Sequence, residues 1–188
     1  DTIIEVHGHH KQGASFGYTR VRGLNALLAT VSTEQIAPVI AAQRLRKGSA
    51  GSPRGAVRLA TDTLALIRRT CLAGRPVLVR ADSAFYSHAL VTAALKTGAH
   101  VSVTVRMDPA VKRAIAAISD DAWTTIKYTD AIYDEDSGRW ISRAEVAEIP
   151  FTAFTSKKTS EQIPGRLVVR RIPDLNPKKN QGQATLFD

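Results

Sequence analysis

Cysteine is almost missing from this chain. Cys71 is the only one in 188 residues, which excludes an internal disulfide and suits a reducing cytoplasm. Long apolar runs are missing too: none approaches the roughly 18 residues of a membrane-spanning helix, and the first residues lack the basic-then-apolar order of a secretory signal. The glycines of 8–23 fit neither a phosphate loop nor the dinucleotide fingerprint, so nucleotide cradling is not expected there. No internal repeat is visible. Acidic residues are the scarce charge, 17 against 26 Lys and Arg, for a formal net charge of +9 and a pI near 10.1. That balance suits a polyanionic partner held largely by electrostatics, and equally a basic protein whose charge serves only solubility. The chain opens on Asp1 without Met and ends on Phe187-Asp188 after a polar segment, which reads either as part of a longer protein or as a chain processed at its N-terminus.

What is present is enough for a folded domain. With 44% apolar residues, 188 positions can bury a sizeable core, most simply one domain with an insertion or tail. The stretch that organises it is Val77-Leu78-Val79-Arg80-Ala81-Asp82-Ser83-Ala84-Phe85-Tyr86. β-Branched Val77 and Val79 after Gly74-Arg75-Pro76 predict a buried strand that ends in a carboxylate. The C-terminal tip of an inner strand is where open α/β sheets place their chemistry. The alternative reading of Asp82 is a cap for the helix that follows.

Elsewhere the pattern predicts a strand over Thr2 to His7, a glycine-rich basic loop from Gly8 to Gly23, and most simply strands over Leu24 to Val31 and Ile36 to Ala42, with helix the alternative for either run because of its Ala and Leu content. Leu45 to Gly55 reads as a polar loop. Val57, Ala60, Leu64, Ile67 and Cys71 then recur at helical spacing and define an apolar helix face stopped by Gly74. Ser87 caps a helix to about Lys96, Val101 to Val105 is a strand, and Asp108-Pro109 starts another helix through Ile118. After it come short strand-like pieces, Trp123 to Tyr128, Trp140-Ile141, Val146 to Phe154 and Arg166 to Ile172, with a hairpin turn at Asp134 to Gly138. The expected division is a core at 1–122, a β-rich insertion at 123–172 and a polar linker or tail at 173–188. The fold class is α/β: a three-strand meander continued by a βαβ unit in one mixed sheet.

Glu5-Val6-His7-Gly8, Gly17-Tyr18, Arg22 to Thr30, Leu45-Arg46-Lys47-Gly48, Val79 to Tyr86 and Thr104 to Asp108 together resemble the catalytic core of DDE transposases of bacterial insertion sequences, most closely the group described as transposase DDE domain, group one. The resemblance runs over nearly the whole chain. It implies an RNase H-like fold with a β-strand insertion and metal-dependent cleavage and transfer of DNA at transposon ends. It also implies Mg²⁺ or Mn²⁺ as cofactor and double-stranded DNA as partner. A bacterial cytoplasm close to the nucleoid and self-association of a full-length protein follow from it as well. Asp82 matches the second catalytic carboxylate and metal ligand. The first is Asp1 or the position just before it, and the strands that carry the two should be neighbours. Carboxylate oxygen is a hard ligand suited to such cations, and two ions about 4 Å apart can activate a nucleophile and stabilise a leaving oxygen at phosphate. The family's Glu lies on a later helix, and Glu145, Glu148 and Glu161 match no part of that motif. The chain by itself is therefore expected to be inactive.

Two other function classes remain at this stage: a non-catalytic DNA-binding remnant, and a metal-dependent phosphohydrolase that uses Asp82. His7, His9 and His10 lack Cys partners or a second His cluster at zinc spacing, so they read as a polar loop. Asp62 lies off the helix's apolar face and reads as solvated. The acidic cluster Asp134, Glu135 and Asp136 is explained by turn chemistry. Arg80 and Arg106, at strand ends near Asp82, are either phosphate contacts or partners of nearby acids.

Overall fold

A computed structural model describes residues 2–8, 10–70, 73–135 and 138–172, and the chain divides between Arg106 and Met107 into two units. The first contains β1 (Thr2–Glu5), β2 (Ser15–Phe16), β3 (Arg22–Val31), β4 (Val39–Lys47), α1 (Ala56–Ile67), β5 (Leu78–Ala81), α2 (His88–Lys96) and β6 (His100–Val103). β3 is the centre of an antiparallel sheet. Gly23 pairs with Glu5 of β1 on one edge and Ser15 of β2 on the other, while Ala26 pairs with Thr2 and, across β3, with Leu45 of β4. β5 and β6 form a separate parallel pair in register Leu78 to His100, so β5 is not the buried inner strand of one mixed sheet that the sequence predicts. None of its residues is buried, because only the side of Val79 is covered by the helices while Leu78 and Arg80 are exposed. The molecule is thus mixed α/β, with parallel and antiparallel pairing.

Strand alternation explains where the core sits. Leu27 is buried with Ala56 and Leu59 of α1, and Ala29, Ala42 and Phe85 close around them. One turn further along α1, Leu64 and Ile67 join Ala94 and Ala99, with Val31, Val77, Val79 and Val101 packed against them. The two sheets therefore share a core through side chains although they share no ladder. Ile4, Leu28 and Leu45, at the alternate positions of the meander, stay exposed.

Three further expectations for the first unit need correcting. β1 and β5 are not hydrogen-bonded neighbours among the described residues: each is four residues long, β1 takes its ladder from β3, and β5 takes its own from β6. The third meander strand starts after Pro38 and runs to Lys47, through what looked like a polar loop. Its basic residues hid an alternating pattern, in which Arg44 and Arg46 find partners on the helix side, Asp62 and Asn25, while Gln43, Leu45 and Lys47 are exposed. The apolar face of α1 is rotated from the expected one: Ala56, Leu59, Thr63, Leu64 and Ile67 are buried, Val57 is exposed, and the helix ends at Ile67. Thr63 tolerates burial because its hydroxyl donates to the Leu59 carbonyl at 2.8 Å. Cys71 lies outside the described residues.

α2 and the helix that opens the second unit start at capping residues. Ser87 Oγ accepts the Leu90 N–H, and Gly98 at φ 77° follows the end of α2. The second unit opens with α3 (Pro109–Ala116), where Asp108 Oδ1 accepts N–H bonds from Ala110 at 2.8 Å and Val111 at 2.9 Å. An antiparallel meander follows: β7 (Thr124–Asp134), β8 (Arg139–Ala153) and β9 (Ile163–Arg171), with β8 in the middle. The expected short pieces merge into three long strands, because the register Ala147 to Val169 and Ile149 to Leu167 stacks buried Ala147, Val169 and Leu167 and half-buried Ile149 on one face. On that face the Arg171 guanidinium lies 3.9 Å from the Trp123 ring centre and bonds Glu145 at 2.6 Å. Positions 173–188, expected as a polar tail, lie outside the described residues.

Candidate functional site

Asp82 follows directly on β5 with extended backbone, and a single 3₁₀ turn, Ser83–Phe85, begins at it. Its Oδ1 accepts the Ala84 N–H at 2.8 Å, and its carbonyl accepts the Phe85 N–H at 3.1 Å. The capping role foreseen for Asp82 is therefore real. It uses one carboxylate oxygen of an exposed side chain, while Phe85 anchors the turn in the core beside Leu27. Asp82 sits on a fixed element and faces solvent.

Packing sets which way β5 runs. Val31, at the end of β3, and Val77 and Val79, just before and within β5, pack against the same cluster of Leu64, Ile67, Ala94 and Ala99. Leu27, nearer the start of β3, belongs instead to the cluster that Phe85, just beyond β5, packs against. β5 thus runs against β3 and in the same sense as β1, which is antiparallel to β3. Five features consequently lie at one end of this unit: the end of β1, the start of β3, the end of β4, the start of α1, and Asp82.

That end is strongly basic. Residues 6–61 carry eight Lys and Arg but a single acid, Glu34, and most of those cations fall in the connections or at the strand ends there: Lys11, Arg20, Arg22, Lys47 and Arg54. Arg46 knits it together. Its guanidinium bonds Asn25 Oδ1, 2.9 Å from Nε, and donates from Nη1 to the carbonyls of Gly51, Ser52 and Arg54 at 3.2, 3.0 and 2.6 Å. Asn25 is buried, so this contact satisfies a polar group that would otherwise be costly to bury. Burial lowers the Arg46 pKa from its ordinary value, and the neighbouring Arg54 charge lowers it further. α1 begins at this end after Gly55 at φ 80°, without a side-chain cap or an acid in its first turn.

The 8–21 connection is held down by close backbone crossings. A Cβ on Gly48 would overlap the carbonyl oxygens of Gly23 and Ser15, and one on Gly17 would lie 2.6 Å from the Gly48 oxygen. The Gly48 N–H bonds the Gly13 carbonyl at 3.1 Å, and the Ser49 N–H bonds Ser15 Oγ at 2.9 Å. These positions need glycine for proximity, a different reason from the turn conformations the sequence suggested.

Asp1, one of the two expected metal ligands, lies outside the described residues, as do His9 and Asp136. Among the described residues, no three His, Cys, Asp or Glu side chains gather as a metal group. Asp82 and Glu5, the exposed last residue of β1, are hard oxygen ligands at this end, but they belong to no gathered group that would hold a pair of cations. Asp62 is solvated as expected, 3.6 Å from Arg44 and 3.8 Å from Arg58. Glu145 and Glu148 are taken up by Arg171 and Arg166 across the β8–β9 ladder. Arg80 and Arg106 are exposed. A cavity of about 190 Å³ lies where β5 and β6 begin, lined by Leu64, Ile67, Arg68, Arg75, Val77 and Ala99 among others, at the end away from Asp82. No helix among the described residues is long and apolar enough to cross a membrane.

No family model, curated protein or solved structure matches this chain. What residue-by-residue reading missed is the convergence of the cations. The signal was present as the near absence of acids over residues 6–61, but only the topology brings those connections to one end.

Proposed function

We propose that this chain is part of an RNase H-like DDE transposase catalytic domain that acts on double-stranded DNA, with Asp82 as one of the carboxylates that hold Mg²⁺ or Mn²⁺. The observation that carries the reading is the placement of Asp82: it ends a strand that runs in the sense of β1, at the same end as the basic connections. Basic residues at that end would hold phosphates by charge and leave the strand-end carboxylate to face the reacting phosphate. Bound cations would supply Lewis-acid activation and charge neutralisation there. A complete ligand set needs Asp1, or the position before it, and a further carboxylate that no residue of this chain supplies by motif. The 188-residue chain is accordingly proposed to bind DNA without cutting it.

Mn²⁺ titration with NMR observation of the amide signals tests the role of Asp82. Paramagnetic broadening should be strongest at Ala84 and Phe85, and Asp82→Asn should remove it; broadening that survives Asp82→Asn would overturn the assignment. Plasmid incubated with the chain and Mg²⁺ or Mn²⁺ should stay supercoiled, and nicking would show that the carboxylates of this chain suffice. Because no carboxylates gather as a metal group among the described residues, the same end also supports the runner-up, a non-catalytic DNA-binding remnant of a transposase. Restoration of cutting in a longer chain, and its loss with Asp82→Asn, separates the two.

A further inference from the structure

The β2–β3 hairpin carries two exposed aromatic side chains that neither the core nor the proposed chemistry uses, beside cations of which Arg22 also bonds the Gly8 carbonyl. Its tip is a tight turn closed by the Arg20 N–H on the Gly17 carbonyl at 3.1 Å, with Tyr18 and Thr19 in the middle. Tyr18 is fully exposed and Phe16, at the hairpin's base, is two-thirds exposed. Arg20 adopts φ 58°, a left-handed conformation that costs a residue with a side chain and persists where the surroundings impose it. Phe16 is paired directly with Arg22, so the two side chains share a face of the hairpin. Lys11 and His10 belong to the same connection, and no acid occurs between Glu5 and Glu34.

An exposed aromatic pair gains nothing from water, and here it sits on a rigid support, because Gly17, Gly23 and Gly48 lock the hairpin onto β1 and the end of β4. Aromatic rings among arginines match a particular partner chemistry. Phosphates satisfy the cations, and the flat faces of bases, accessible only when unpaired, stack on the rings. A duplex offers the phosphates but hides the base faces. We propose that Tyr18 and Phe16 form a stacking platform for unpaired bases of a DNA strand whose backbone is held by Arg20, Arg22 and Lys11. The platform rests on the DNA reading above and deepens it: the strand engaged at the Asp82 end is single or opened there.

The test is fluorescence anisotropy with the 188-residue chain and a fluorescein-labelled oligonucleotide of about 20 nucleotides, as a single strand and as a duplex. Tyr18→Ala should weaken single-strand binding about tenfold while duplex binding stays within about twofold, and Tyr18→Phe should restore it. Phe16→Ala should act in the same direction. Tyr18 supports no packing, so the variants keep the fold, which an unchanged thermal midpoint will show. Single-strand binding that is unaffected by Tyr18→Ala, or an equal loss on both DNA forms, overturns the platform and leaves the DNA reading standing. Absence of binding to either form at about 50 mM salt overturns both.

Discussion

At the scale of single residues, Asp82 and Arg46 show how position decides what a charge does. Asp82 caps a 3₁₀ turn with one oxygen, a role that Asn can fill because its side-chain carbonyl also accepts the Ala84 N–H. Asp82→Asn should therefore leave the thermal midpoint nearly unchanged, whereas Asp82→Ala should cost about 1 kcal/mol. Calorimetry of both variants checks this, and a large loss for Asn would show that the charge has a structural role. Arg46 presents the opposite case. It bridges buried Asn25 to three carbonyls of the 51–54 loop, so Arg46→Met leaves an acceptor buried without its donor and should cost roughly 2–3 kcal/mol in urea unfolding. The Arg46→Lys chain should recover only part of that, since an ammonium cannot span the same set of acceptors.

At the scale of elements, legibility followed from whether a signal was local. Asp108-Pro109, Ser87 and Gly98 announced helix ends correctly because capping involves only a few neighbouring positions. β5 was readable because its β-branched residues follow a breaker. β4 was missed over Leu45 to Lys47 because its inward positions are arginines, and their partners come from β3, α1 and a loop. The α1 face was misjudged by a fraction of a turn, since which of Val57 and Leu59 is buried depends on where β3 and β4 lie beneath the helix. The pairing of β1 beside β5 came from the resemblance and not from any local pattern, and the ladders found are different. Glycine supplies the prediction at this scale. Gly48→Ala forces a methyl against two strand carbonyls and should destabilise by about 2 kcal/mol or more, while Gly51→Ala, with open space around it, should cost little. Denaturant midpoints of the two variants compare them directly.

At the scale of the whole molecule, the +9 charge is spread over the sequence yet partly gathered by topology, eight cations against one acid in residues 6–61. Duplex binding should fall about a hundredfold between roughly 50 and 200 mM salt, the release expected from about four phosphate contacts. Electrophoretic titration over that range measures the slope, and a flat response would remove phosphate as the partner. The shared core of the first unit also dictates an order of events during synthesis. Leu27 and Ala29 leave the ribosome well before α1, and Phe85 arrives later still, so the meander has to wait with its inner face uncovered until those residues emerge. Leu27→Ala removes apolar surface from this waiting stage and core volume from the finished one. It should cost about 2–5 kcal/mol at equilibrium while making the nascent meander less prone to captive contacts with chaperones. The end of the unit that gathers the cations is also closed in stages, first by the glycine crossings of the hairpin and only afterwards by the turn at Asp82. A nascent chain would therefore present its polyanion-attracting surface before its carboxylate reaches it.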